Sequence, residues 1–119
     1  MFDNEDDDNG EKFLKEDLEQ FESYLKGVQI GFMDSDRVEA IVDHYLINGN
    51  FSKAKVAADF ALTNFSYNHI FHLRKAQALG GLGKLNEALA ITDSIENFGM
   101  LSLEYFLTKA SLFSQLRDA

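Results

Sequence analysis

The chain has no cysteine, no proline and no tryptophan. Without cysteine there is no disulfide, no thiolate metal site and no thiol nucleophile. Without proline, only glycine and asparagine are left to interrupt a helix. No uninterrupted apolar run approaches the roughly 20 residues that span a bilayer. The first dozen residues are acidic where a secretory signal would be basic and then apolar, so a soluble, cytoplasmic protein without a membrane role is expected. Basic residues are few as well: 11 Lys and Arg stand against 20 Asp and Glu, a net charge of −9. The imbalance is local. Residues 1–24 carry ten acids and two lysines, whereas 25–119 carry ten acids and nine bases, so the remainder is nearly neutral. It has no basic stripe to neutralise phosphates, and nucleic acid is not an expected partner.

What is present is a repeat. Gly49, Phe51 and Ala54 recur 34 residues later as Gly83, Leu85 and Ala88. That interval holds two short helices and two turns, and a fixed period of this size is the mark of a stacked array. The length of 119 residues suits a single domain with a continuous core.

The apolar spacing predicts an all-α chain. Residues 1–10 are too acidic and too poor in apolar groups to offset the entropy of ordering, and read as a disordered tail. Residues 11–34 read as a capping helix with a loop, Leu14, Leu18, Phe21 and Leu25 forming one narrow stripe that ends near Gly27. The repeat domain is expected over 35–119, with units at about 35–68 and 69–102 and a partial one at 103–119. Asp34, Ser35 and Asp36 are each suited to start the second helix, with Glu39 completing a capping box behind Asp36. Val38, Ile41, Val42, Tyr45 and Leu46 share its inner face, and Gly49 ends it in a left-handed turn. The next helix puts Ala54, Ala57, Ala58 and Ala61 on one side, a pattern that lets a neighbour approach closely. Leu73, Ala76 and Leu79, then Leu85, Ala88, Leu89, Thr92 and Ile95, mark the second pair. Phe106, Ala110 and Phe113 mark a sixth helix, and Ala110 and Leu116 stand 34 residues after Ala76 and Leu82.

Period, pairing and tight positions together resemble the tetratricopeptide repeat. The resemblance rests on Val42, Tyr45, Gly49, Phe51, Ala54 and Ala61 in the first unit, and on Ala76, Leu79, Gly83, Leu85, Ala88 and Ile95 in the second. The family's usual tryptophan is replaced by Val38 and His72 and its usual proline by Ser66 and Met100, which leaves the angle between units open. The run from Tyr45 to Ala54 is similar to bacterial repeat proteins with longer arrays, so truncation within a third unit is expected. The resemblance implies an α-α superhelix of helical hairpins that acts as a protein–protein interaction scaffold or adaptor, without catalysis or cofactor. It also implies a concave groove lined by the first helix of each unit: Asp36, Glu39, Asp43 and Leu46, then Ile70, Leu73 and Gln77, then Glu104, Leu107 and Ser111. The carboxylate clamp of chaperone-binding members is missing apart from Arg74 beside these positions, and Glu39 with Asp43 would repel a carboxylate. The expected partner is an unidentified protein or peptide with basic and apolar residues. For Asp36 and Glu39 a plainer role, favouring the helix N-terminus through its dipole, is weighed beside this.

Other constellations are weaker. Self-association through Phe106, Ala110 and Phe113 is the alternative within binding, giving a homodimer. Phe60, Phe71 and Tyr105 fall off the main stripes and read as a second exposed patch. Glu5, Asp7, Asn9, Gly10 and Glu16 match part of a calcium loop, but position 8 is Lys12 and no helix precedes it. His69 and His72 have the spacing of two metal ligands without a third nearby, and read as helix-start and packing residues. Gly80, Gly81, Gly83 and Lys84 lack the remaining signature of a phosphate loop and read as a helix end with a close contact. A calcium- or metal-responsive module is therefore the reading from outside binding, and no metal or cofactor site is assigned.

Overall fold

Three side-chain caps stand 34 residues apart. Asp34 accepts a hydrogen bond from the Arg37 amide at 2.9 Å, Asn68 from the Ile70 amide at 3.0 Å and Ser102 from the Tyr105 amide at 3.1 Å. Each satisfies an amide at a helix start that has no partner within the helix. The first helices of the three units begin there in the computed structural model, which describes the backbone of residues 2–118 and the side chains of 13–118. Six helices follow in order: α1 (Phe2–Leu25), α2 (Ser35–Ile47), α3 (Phe51–Asn64), α4 (His69–Gly81), α5 (Leu85–Asn97) and α6 (Leu103–Asp118). The fold is all-α, and no strand occurs among the described residues.

The turns inside the units repeat as well. Gly49 and Gly83 have φ of 74° and 78°, the left-handed conformation that ends a helix cheaply only at glycine. In both, the amide just past the glycine reaches back by the same bond at 2.9 Å, Asn50 to the Tyr45 carbonyl and Lys84 to the Leu79 carbonyl. Asn50 then caps α3 through the Lys53 amide at 3.3 Å. Its counterpart before α5 is Lys84, which makes no side-chain cap.

Consecutive helices pack as hairpins, and α4 also packs on α2 and α6. The alanine side of α3 is closed completely: Ala54, Ala57, Ala58 and Ala61 are all fully buried, together with Val38, Ile41, Val42 and Phe71. A second cluster joins Ala76, Leu79, Ala88 and Leu112, and a third joins Leu73, Ile95 and Tyr105. The first helix of each hairpin thus contacts the next unit as well as its own partner. α6 has no helix on its outer side among the described residues, and Phe106 and Phe113 stay half-exposed there.

α1 closes the other end through charge as much as apolar contact. Asp17 is buried and accepts from Arg37 Nε at 3.2 and 3.1 Å. Glu22 accepts from the Tyr45 hydroxyl at 3.0 Å and pairs with Lys53. Those acids are docking groups.

Several expectations change. The α2 cap is Asp34, so the capping box from Asp36 to Glu39 does not form. The backbone of residues 2–10, read as a tail, is the start of α1; acids near a helix N-terminus are favoured by its dipole. The calcium-loop positions Glu5, Asp7, Asn9 and Gly10 lie outside the residues whose side chains are described, on helical backbone. Phe71 and Tyr105 are buried, and Phe60 is half-buried with its ring 4.7 Å from that of Tyr24. They form no exposed patch. A stripe analysis of single helices misplaces them because helices inside an array are covered on more than one side.

Candidate functional site

The first helices α2, α4 and α6 lie side by side, and the cross-links from α4 to α6 show that these two run the same way. Arg74 donates to Asp43, Gln77 donates to Thr108, and Leu112 lies against Gly80, pairs separated by nearly constant intervals of sequence. One continuous face results.

Its N-terminal half is acidic. Arg74 Nε reaches the Asp43 carboxylate at 2.7 Å, and its guanidinium also holds Glu104. Gln77 supports the same network, donating to Thr108 at 3.0 Å. Asp36 and Glu39 have no ion-pair partner among the described residues. Partial burial, and then the charges of Asp43, Asp36 and Glu104, push the Glu39 carboxyl above its ordinary range in spite of Arg74. For Arg74, burial is opposed and outweighed by Glu104 and Asp43, which hold the guanidinium charged. Asp43, Glu104 and Glu39 surround one arginine, with Asp36 beside Glu39.

The C-terminal half mixes apolar and uncharged polar groups. A cleft of about 360 Å³ opens between α4 and α6, lined by Phe51, Gly80, Gly81, Leu107 and Leu112, with Gln77 and Ser111 among its polar groups. The glycines make it possible. A methyl group at Gly81 would overlap the Phe51 ring, and one at Gly80 would come within 2.8 Å of Leu112.

Of the expected groove residues, Asp36, Glu104, Leu107 and Ser111 are exposed, and Glu39, Asp43, Leu46, Ile70 and Gln77 half-buried. Leu73 is the exception: it is buried against Ile95 and Tyr105 and unavailable to a partner. The offsets between neighbouring helices bring Arg74, Thr108, Gly81 and Phe51 to the face in its place. Their only sequence signal was the position of Arg74 next to the expected clamp and the paired glycines.

The proposed self-association face has a different setting. Phe106, Ala110 and Phe113 are exposed on α6, and Ala110 and Phe113 border a cleft of about 510 Å³ with Leu116 and Arg117. The residues 34 positions earlier, Ala76 and Leu79, are buried by α5. His72 interacts with the Ser66 carbonyl at 2.9 Å through Nε2, and among the described residues no three His, Asp or Glu side chains converge as a metal ion would require. No described helix is long and apolar enough to cross a membrane. Compared with protein-family models, curated proteins and solved structures, the chain gives no match.

Proposed function

We propose that this chain is a tetratricopeptide-like interaction scaffold that binds a peptide segment carrying a basic residue followed by an apolar one. The observation behind this is the join on one face between four acids, of which Asp36 and Glu39 have no ion-pair partner among the described residues, and the glycine-floored cleft beside Phe51, Leu107 and Leu112. A lysine or arginine of the partner would sit by Glu39, relieving the crowding that raises its carboxyl, and an apolar side chain would enter beside Leu107. Charge complementarity would set the encounter rate and the register, with the apolar contact supplying most of the affinity. The chain acts by binding and not by catalysis in this reading, and a cytoplasmic setting goes with it.

The test is charge reversal with a matched control. A fluorescent peptide of sequence Lys-Gly-Gly-Leu-Leu should lose at least tenfold in affinity with Glu39→Lys, and change less than twofold with Asp93→Lys, an equal charge change on the exposed side of α5. Equal losses in both variants would reduce the effect to net charge and remove the groove assignment.

A second reading has its own observation, the exposed outer side of α6. We infer that two copies can pair through Phe106, Ala110 and Phe113, where each large side chain buried would contribute about 1.5–3 kcal/mol. Light scattering over a wide concentration range tests it: a dimer that Phe113→Asp converts to monomer supports the reading, and a monomer at every concentration ends it.

A further inference from the structure

A second cleft lies on the opposite side of α4, since His72 and Arg74 project about 200° apart around the helix. It has a volume of about 470 Å³, is walled by Ile91, Ile95 and Phe98, and carries Tyr67, His72 and Ser94 among its polar groups. That size and mixture match a recognition pocket for an organic side chain.

The repeat shows how the space arises. The matching position in the first unit also has a more open cleft of about 430 Å³, but its floor is filled. There the Phe60 ring meets Phe21 edge-on at 5.6 Å and Tyr24 at a tilt at 4.7 Å, and Met33 is buried in the core. Thirty-four residues later Phe60 becomes Ser94 and Met33 becomes Tyr67, which turns outward and is 98% exposed. One phenyl ring and one thioether chain are therefore missing from the second unit at these two positions, while Ala57 and Ala61 of the first unit become Ile91 and Ile95, which wall the cleft.

The chemistry of the lining restricts what can replace them. No Asp, Glu, Lys or Arg lines the cleft. His69 and His72 line it beside Ile91, Ile95, Phe98 and Met100, so a cationic insert would be desolvated without a partner and an apolar one is favoured. Tyr67 and Phe98, the latter 80% exposed, flank the cleft as aromatic surfaces, an arrangement that suits edge or stacked contact with another ring. We propose that this cleft binds a phenylalanine side chain from a partner protein, which takes the place that Phe60 occupies in the first unit. The inference is independent of the acidic face.

The probe is N-acetyl-phenylalanine methylamide, titrated into the ¹⁵N-labelled full chain. Saturable shifts should appear at the amides of Tyr67, His72, Ile91, Ser94 and Phe98, and Ser94→Phe should weaken binding at least tenfold by restoring the residue of the first unit. Ser94 is exposed, so the replacement has room to fold; Ser94→Gln serves as a smaller blocking variant and should weaken binding at least threefold. Glu39→Lys should bind the probe as the wild type does, which separates this site from the acidic face. Shifts that do not saturate, equal shifts with N-acetyl-glycine methylamide, or undiminished binding in both Ser94 variants would overturn the proposal.

Discussion

Arg74 on α4 and Asp43 on α2, 31 residues apart in sequence, meet at 2.7 Å. The same guanidinium holds Glu104 of α6, so one side chain ties three consecutive units together. Among the described residues it is also the only cation in a cluster that includes Glu39, and its loss would leave Asp43, Glu39 and Glu104 facing one another.

Arg74→Gln is therefore expected to lower stability at neutral pH by about 1–2 kcal/mol, the modest size reflecting the solvent access of both carboxylates. Denaturant unfolding at pH 7 and pH 4 checks it. The loss should shrink at pH 4, where protonation of Glu39, whose carboxyl is raised, removes its share of the repulsion. A loss that stays the same at both values would mean that Arg74 acts through packing alone.

The close approach of α3 and α4 depends on a missing side chain. Gly81→Ala places a methyl group in the Phe51 ring, and the overlap outweighs alanine's better helix propensity. A loss of about 1–2 kcal/mol is expected, lowering Tm by roughly 3–8 °C for a domain of this size. Ala54→Leu, at a fully buried position, should cost about 1–3 kcal/mol. Calorimetry that found either variant as stable as the wild type would contradict the packing at that position.

Much of this was legible in the residues, because it depends on local rules. The 34-residue period, the left-handed turns at Gly49 and Gly83, the alanine contacts and the number of helices follow from spacing and backbone preference. The caps Asp34, Asn68 and Ser102 carry the same period, but three different residue types conceal it. The contacts between units follow another rule. Arg74 meets Asp43 and Glu104 at 31 and 30 residues because neighbouring first helices are offset along their axes, and that offset comes from packing. Leu73, Phe71 and Tyr105 were misplaced for a related reason: the neighbours that cover them belong to other helices.

Glu39 gives a pH dependence of definite sign. Its carboxyl is raised in the folded chain, first by burial and then by neighbouring acids, so folding favours the protonated form and ionisation opposes it. The strain is absent below the ordinary carboxylate range, where Glu39 is protonated folded and unfolded alike. It is complete once pH exceeds the folded value. Glu39→Gln should therefore stabilise the chain at pH 7, and the gain should vanish below about pH 4. Urea midpoints at the two pH values measure this; a gain that persisted in acid would mean that charge is not its cause.

Tyr45 should ionise late. Burial and the hydrogen bond to Glu22 push its hydroxyl up to about 12. Because the folded value is raised, the stability it confers is complete below the unfolded value of about 10 and declines between there and 12. A spectrophotometric titration should show one late phase that Tyr45→Phe removes, and a late phase surviving in that variant would assign it elsewhere.

The central claim is that α2, α4 and α6 form one partner-binding face, and an amide map tests it most directly. Titration of the ¹⁵N-labelled chain with Lys-Gly-Gly-Leu-Leu should shift Asp36, Glu39, Arg74, Gly81, Glu104 and Leu107 along a single saturation curve, leaving the exposed sides of α3 and α5 unchanged. Shifts concentrated on α3 and α5, or scattered over every exposed acid in proportion to peptide concentration, would contradict it.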